Sequence, residues 1–449
     1  MKRKAEVELW AWFNKKNRMP LIMRGARQVG KSTLVRLFCQ NYKLDLIELN
    51  LEIINFNTLE QTNFNIENLL DEIQLVSKKK ITKETIIFFD EIQESPKLLK
   101  YLRYFYEMKP EIAIISAGSL LEFVLKDEKF SFPVGRVEFF HLGPMTYLEF
   151  LEANGNELLA KKIVEQKFDE HVDKLAKEEL RKYFYIGGMP KAVLTYIENK
   201  SLVEVRHVQT QIIQTYMADF PKYNSRIKQD RINRVFSTVA LHVGQKTIFQ
   251  KLDSESKSRD TKKIIELLID AKVLLSCHHS NSNSTPLMGE SDETILKLYF
   301  LDIGLLNALI DLDLSILDSE FKNNFSLKGF LAEQFIAQHL AYVAGTAKVP
   351  SLFYWLKDKG SQKGEVDFIL EQKQKIFPVE VKASAIGHLK SLYYFMKEKK
   401  RLTGVRFSLL PFSIDKKNHK IDGVEIPMEL VSLPHYAVEV LLDILKTIE

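Results

Sequence analysis

Gly25-Ala26-Arg27-Gln28-Val29-Gly30-Lys31-Ser32 fits the pattern G-x-x-x-x-G-K-[ST], and its flanks decide how it is read. Met19–Met23 before it reads as a short buried strand. Thr33–Cys39 after it carries apolar residues at helical spacing. Strand, glycine loop and helix are the context this motif needs. Gly25 and Gly30 let the backbone curl, so successive N–H groups from Ala26 through Thr33 can face phosphate oxygens. The helix start adds its partial positive charge. Lys31 is expected at the β- and γ-phosphates and the Ser32 hydroxyl on Mg²⁺. The plain alternative is a glycine-rich turn with an accidental Lys-Ser. With 18 Gly in 449 residues, chance supplies such a match in roughly one chain in a hundred. The expected ligand is ATP with Mg²⁺, although no base-reading element distinguishes ATP from GTP.

The length suits two to four domains. Hydrophobic residues at 45% and charged residues at 27% are ordinary for globular protein. Net charge is +5, from 64 basic and 59 acidic residues. That permits a DNA partner without arguing for one. Cys39 and Cys277 allow neither a disulfide framework nor a cysteine-based zinc site. The longest apolar stretch, 14 residues from Ile112 to Leu125, contains Glu122 and is too short for a membrane span. The chain start is basic with no apolar signal core behind it. A cytoplasmic protein with no membrane partner is the expectation.

A helix carrying Trp10, Trp12 and Phe13 is expected beside the nucleotide pocket, and a second strand at Leu44–Asn50. Thr85-Ile-Ile-Phe-Phe-Asp90-Glu91 reads as a strand buried on both faces and ending in two carboxylates. It follows the glycine loop by about sixty residues. Asp90 is expected to hold Mg²⁺ through water and Glu91 to polarise the attacking water. In isolation the same residues would make an exposed acidic turn. Ile112–Ser119 is a further strand, whose end offers Ser116 and Ser119 as polar residues facing a γ-phosphate. Phe132-Pro-Val-Gly-Arg136 places an arginine on a turn. Arg136 is either a finger reaching a neighbouring subunit's γ-phosphate, which implies a homo-oligomer, or a solvated turn residue.

These motifs resemble the AAA+-type P-loop ATPases, common in archaea and anaerobic bacteria, that carry a C-terminal domain of uncharacterised function. The resemblance rests on Met23–Thr33, Phe89-Asp-Glu-Ile-Gln93, Ala117-Gly-Ser119 and Gly135-Arg136. Leu142–Phe150, Tyr185-Ile-Gly-Gly-Met-Pro190 and Lys297–Leu306 continue it, from about residue 15 to 385. Such relatives more often have Thr where Ala117 stands, which leaves the γ-phosphate sensor open. The resemblance implies a helical lid over the nucleotide at 151–228 and favours Arg136 as a trans-acting finger. The bland alternative for the lid is a helical insertion without nucleotide contact.

The rest of the chain changes rhythm. Helices at Arg231–Val243, Lys246–Leu252 and Arg259–Ala271, then strands at Val273–His279 and Ile295–Leu301, follow the winged-helix plan over 229–310. Arg259, Lys262 and Lys263 would face DNA if this unit reads it. Otherwise it serves packing or protein contact. His278 and His279 are adjacent on a strand, face opposite ways and make no metal pair. Asn307–Leu327 reads as a polar connector. A helix Gly329–Leu340 carries Glu333. A hairpin then joins Glu365-Val-Asp367-Phe-Ile-Leu370 to Ile376-Phe-Pro-Val-Glu380-Val-Lys382. A turn at Gln372–Lys375 sets Asp367 opposite Glu380, near enough for two carboxylates to share Mg²⁺. Lys382 faces the same side, and Glu333 is placed to join from the helix. This resembles the PD-(D/E)xK nuclease core, in which metal activates water and the lysine positions it. E-x-K alone recurs by chance about three times in such a chain, so the register carries the weight. Pro378 departs from the pattern and suggests an edge or a bulge. Beyond it come a helix Leu389–Lys399, a strand Gly404–Leu410, a polar loop Ser413–Asp422 and a helix Pro434–Ile448.

The expected fold is α/β throughout. A P-loop AAA+ domain occupies 1–150 and the lid 151–228. The winged helix occupies 229–310, and a restriction-endonuclease-like domain 320–449. Function reads as an ATPase whose nucleotide state controls a DNA-binding or nuclease-like module. The alternative is an ATP-dependent switch or scaffold whose nuclease-like domain is catalytically inactive and binds DNA or a protein.

Overall fold

The computed structural model describes residues 1–60, 64–119, 121–122, 135–223, 227–312, 325–358, 363–384, 388–421 and 423–448. Phe132, Pro133 and Val134, quoted above ahead of Arg136, lie outside them, as does most of the connector expected at Asn307–Leu327. The two ends of that connector are helical: Asn307 belongs to the helix Ile303–Leu309, and a helix Phe325–Leu340 begins at the other side.

Two sheets organise the chain. The first has strands β1 (Leu21–Arg24), β2 (Asp45–Asn50), β3 (Thr85–Asp90), β4 (Ala113–Ala117) and β5 (Glu138–His141), in the order β2-β3-β4-β1-β5. All four pairings are parallel. Parallel strands need both faces covered, and the sequence of β3 supplies both. Ile86 and Phe88 enter one core and Ile87 and Phe89 the other. β4 lies between the glycine-loop strand β1 and the acidic strand β3. That order brings Ser119, just past the end of β4, between the two motifs.

The helical segment expected at 151–228 is present. Helices Glu170–Ile186 and Pro190–Asn199 flank the turn Gly187-Gly188-Met189, with Pro190 at the first helical position. A long helix, Leu202–Tyr223, follows. Gly187 has φ +72, and a Cβ there would lie 2.2 Å from Asp302 Oδ1; one on Gly188 would lie 2.0 Å from the Met145 carbonyl oxygen. Only glycine fits these approaches.

The second sheet departs from the expected division. It has eight strands: β6 (Leu274–Ser280), β7 (Ser291–Phe300), β8 (Leu352–Lys357), β9 (Gly364–Gln372), β10 (Lys375–Val381), β11 (Thr403–Ser408), β12 (Ser413–Ile421) and β13 (Val424–Pro434). Their order is β12-β13-β11-β10-β9-β8-β6-β7. Three helices, Gln229–Ala240, Phe249–Leu252 and Ser258–Asp270, do precede an antiparallel β6–β7 hairpin. The hairpin, however, pairs through β6 in parallel with β8. Residues placed above in separate units, 229–310 and 320–449, therefore share one sheet. The polar loop expected at Ser413–Asp422 is instead the edge strand β12, paired along its length with β13. Pro378 marks no edge and no bulge: β10 lies inside the sheet, and its ladder with β11 begins one residue later, at Val379. The terminal segment is a short 3₁₀ stretch, His435–Val440, before the helix Leu441–Thr447.

One core continues from the first sheet (Met23, Ile115) through the helical segment (Tyr183, Phe220) to the second sheet (Val379, Val405). Polar contacts sit inside this junction. Asp302 is fully buried and accepts from Gly188 N–H at 2.6 Å and Leu305 N–H at 3.0 Å. His339 Nε2 accepts from Tyr147 N–H at 2.9 Å, and Glu439 accepts from Leu148 N–H at 2.8 Å and from Lys4 Nζ at 2.6 Å. Removing the Asp302 carboxylate strands at least two buried N–H groups. Asp302→Ala should cost about 3 kcal/mol or more, read as a lower urea midpoint, while Asp71→Ala on the exposed face of the helix Ile66–Ser77 should not lower it.

Candidate functional site

The glycine loop leaves β1 and enters the helix Lys31–Tyr42. Gly25 (φ +153) is pressed against the chain beyond β5: a Cβ would lie 2.3 Å from the Leu142 carbonyl oxygen. Gly30 (φ +92) occupies the N-cap position, and no side chain caps the helix. The first N–H groups of that helix therefore have no intrahelical acceptor, which is the donor set a phosphate requires. Lys31 Nζ donates to the Gly25 and Ala26 carbonyl oxygens at 2.9 Å each. Burial pushes its ammonium down to about 8, against the pull of Glu91 and Asp90. At neutral pH it remains mostly protonated. Of the remaining loop residues, Ala26 and Val29 are buried, while Gln28 and Thr33 are exposed.

Ser32 Oγ donates to Asp90 Oδ2 at 2.8 Å. The two groups expected on Mg²⁺, 58 residues apart in sequence, are thus in contact. Burial holds the Asp90 carboxyl above its usual range, with Ser32 working the other way. Glu91 has a left-handed backbone, φ +53, which turns its side chain off the strand line. Its Oε2 accepts from Gln93 Nε2 at 2.8 Å and from the Ser119 N–H and hydroxyl at 3.3 and 3.2 Å. Ser119 and Glu91 are brought together; Ser116 is buried within β4, its hydroxyl without a partner among the described residues. Helix start, loop lysine and the Ser32–Asp90 pair fit a magnesium-bound nucleoside triphosphate.

Sequence reasoning missed what grips the loop from outside. Arg27 Nε donates to Ser119 Oγ at 3.0 Å, and its guanidinium pairs with Asp219 at 2.5 Å. Tyr216 donates its hydroxyl to the Arg27 carbonyl oxygen at 2.7 Å. Both partners lie on the helix Leu202–Tyr223, whose Asp and Tyr carry no local motif. From the other side, Arg3 donates to the Val29 and Gly143 carbonyl oxygens and pairs with Glu149 at 3.0 Å. Arg136 lies apart from this group. Its Nε meets Glu107 Oε1 at 2.8 Å, and its side chain is 46% exposed.

In the second sheet, β9 and β10 pair in the expected register, from Lys375 opposite Gln372 to Val379 opposite Phe368. One step further the register sets Glu380 across from Asp367. There Asp367 Oδ2 accepts the Val381 N–H at 2.8 Å, and Lys382 Nζ donates to Glu380 Oε1 at 2.5 Å. Burial holds Asp367 well above the usual carboxylate range, reinforced by Glu380 and Glu333. Burial also raises Glu380, against the pull of Lys382. The expected four, Glu333, Asp367, Glu380 and Lys382, do assemble.

The structure adds Lys297 from β7. Its Nζ lies 3.1 Å from Glu333, 2.6 Å from Glu365 and 4.0 Å from Asp367. The metal expected to neutralise these carboxylates thus meets two ammonium groups already among them. No group of three or more His, Cys, Asp or Glu among the described residues is arranged to hold a metal ion. The Glu380 Oε2, buried, finds no hydrogen-bond partner among the described residues. Two carboxylates with retained waters suffice for Mg²⁺, so the pair Asp367 and Glu380 fits one ion. The sequence signal for Lys297 was a lysine set between apolar neighbours in Ile295–Leu301. The two histidines beside β8 have separate partners, His278 with Ser276 and His279 with the Leu356 N–H.

Comparison with known proteins agrees with this geometry at the N-terminal end. Residues 17–151 match the family model described as AAA domain. Residues 177–315 match a domain of unknown function (DUF8612), and residues 328–430 another (DUF4143). No curated protein matches the chain. Among solved structures, the Walker-type ATPase PABY2304 of Pyrococcus abyssi is 16% identical, with a TM-score of 0.44 over 68% of this chain and 95% of that one. The Aeropyrum pernix Orc1 protein in complex with DNA is 13% identical, with a TM-score of 0.27 over 69% and 93%. The Thermotoga maritima RuvB Holliday junction branch migration motor is 11% identical, with a TM-score of 0.28 over 59% and 84%. Similarity this loose fixes neither substrate nor partner. Residues 17–151 thus combine the P-loop geometry described above with a match to an AAA domain. No described helix is long and apolar enough to cross a membrane.

Lys31→Ala removes the phosphate counter-charge and should abolish nucleotide binding by calorimetry. Glu91→Gln keeps the loop, Ser32 and Asp90, so it should bind ATP while turnover falls about 100-fold or more. Wild-type turnover in Glu91→Gln would remove Glu91 from the chemistry.

Proposed function

We propose that this chain hydrolyses ATP and that the nucleotide state governs a nuclease-like, DNA-handling site in the second sheet. The observation that carries the first half is the Ser32–Asp90 contact beside Glu91 and Ser119, on the ends of β1, β3 and β4. In this reading ATP lies on the loop Gly25–Thr33, with Lys31 on the β- and γ-phosphates. Ser32 and Asp90 hold Mg²⁺, which supplies charge neutralisation at the phosphates. Glu91 polarises the attacking water, and Ser119, held to Glu91, reports the γ-phosphate.

Arg136 acts in trans. Its exposed position against Glu107 suits presentation to a neighbouring subunit. Turnover per subunit should then rise with protein concentration. Mixing Arg136→Ala with Lys31→Ala subunits should restore activity that neither has alone, one supplying the pocket and the other the finger. A rate independent of concentration, from a monomer in sedimentation, would sink the trans-acting role.

The second half rests on Asp367, Glu380 and Lys382 in one register with Glu333 beside them. Asp367 and Glu380 would hold a Mg²⁺ that stabilises the leaving oxyanion of a phosphodiester, and Lys382 would position the water. Exposed Arg259 and Lys263 on the helix Ser258–Asp270 are placed to meet a DNA backbone. Nicking of duplex, branched or single-stranded DNA with Mg²⁺ or Mn²⁺ should be lost in Asp367→Ala, Glu380→Ala and Lys382→Ala, with ATP hydrolysis nearly intact. The second reading, a site that binds DNA or a protein without cutting, is favoured by Lys297, which already neutralises part of the cluster. Under it no nicking appears with either metal, and binding tolerates Lys382→Ala.

A further inference from the structure

Lys297 sits on β7, in a strand contributed from outside the β9–β10 hairpin, and its side chain is 1% exposed. An ammonium so placed is tolerated only when paired, because desolvation of a lone charge costs several kcal/mol or more. It is paired with Glu333 and Glu365, lies at the edge of reach of Asp367, and stands over the Tyr354 ring at 5.2 Å. Tyr299, two residues on, donates its hydroxyl to the same Glu333 oxygen. One oxygen each of Glu333 and Glu365 is thus turned to Lys297, and one oxygen of Glu380 to Lys382. Glu380 Oε2, on a residue 6% exposed, is buried without a hydrogen-bond partner among the described residues.

The charges point the same way. Glu333, Glu365, Asp367 and Glu380 face Lys297 and Lys382. With all six ionised, the cluster is short of two positive charges, which is what one divalent ion supplies. Without Lys297 the shortfall would be three, and Glu333 and Glu365 would be open to a second ion. Paired-metal sites use two such ions to hold attacking and leaving oxygens.

We propose that Lys297 is a resident cation of this site, standing in for a second divalent ion, so that the cluster takes one divalent ion, on Asp367 and Glu380. This rests on the metal-binding reading of the site given above. Lys297 acts through the carboxylates rather than on a substrate, so it is a positioning residue. Its position on β7 makes the metal count a property of the whole eight-stranded sheet rather than of the hairpin.

The test counts Mn²⁺ bound to full-length protein without nucleotide, in a Lys31→Ala background, by electron paramagnetic resonance of the free ion. The parent should bind one equivalent that Glu380→Gln loses, and Lys297→Arg should keep it at one. Lys297→Met should bind two. Lys297→Met with Glu365→Gln keeps the net charge and guards against misfolding of the single variant. It frees Glu333 to join Asp367 and Glu380 on the same ion, so Mn²⁺ should bind at least about tenfold tighter than in the parent. One equivalent in the parent and still one in Lys297→Met, with unchanged affinity in the double variant, would overturn the role of Lys297 and leave the metal site standing. Two equivalents in the parent would also overturn it. Absence of any Mn²⁺ that depends on Glu380 would overturn both readings.

Discussion

The Asp302 carboxylate takes N–H groups from Gly188 and Leu305 and faces the Gln338 amide at 3.4 Å. Three stretches far apart in sequence meet there: the Gly187-Gly188 turn, the end of β7, and the helix Phe325–Leu340. The packing leaves little choice of side chain around it. A Cβ on Gly187 would strike Asp302, one on Gly188 the Met145 carbonyl, and one on Gly304 the Ile186 carbonyl at 2.4 Å. Burial raises the Asp302 carboxyl to about 6, while its N–H donors pull the other way. The position of β7 relative to the helical segment is therefore set by close backbone approach around one buried acid.

From that joint a continuous set of contacts leads to each site. The helix Leu202–Tyr223 lies against both the joint and the phosphate loop. Its Gln209 donates to the Tyr185 and Ile186 carbonyl oxygens, next to the glycine turn. Ten residues further along the same helix, Asp219 pairs with Arg27 of the phosphate loop. In the other direction β7 runs from Asp302 back to Lys297, inside the carboxylate cluster. A rigid helix and a strand of a shared sheet thus connect the nucleotide loop to Lys297.

The parts of this architecture that the sequence discloses are those built from local geometry. The glycine loop needs positive φ at Gly25 and Gly30, and only a few residue types supply it. Strand β3 needs two buried faces, so it shows an unbroken apolar run. The β9–β10 register follows from the turn position alone, which places Asp367 and Glu380 together before any coordinate is known. What stayed hidden depends on partners distant in the chain. β12 exposes most of its residues and shows no apolar alternation, because backbone pairing with β13 at a sheet edge holds it. β8, Leu352–Lys357, carries no motif, and without it the β6–β7 hairpin reads as a free wing. Lys297, between Leu296 and Leu298, has no visible partner in the sequence until β7 is seen to lie against the carboxylates. Asp219 and Tyr216 look like ordinary helix residues until the helix is laid on the phosphate loop.

If ATP binds the loop as proposed, its effect should reach along the helix Leu202–Tyr223, through Asp219 and Gln209, to the Asp302 joint. Amide hydrogen exchange on the Glu91→Gln protein, with and without ATP and Mg²⁺, tests it most directly. Exchange should slow at loop residues 25–33 and change near residues 209–219, 186–188 and 303–306. Protection confined to the loop and to residues 90–91, with the helix and the joint unchanged, would contradict it.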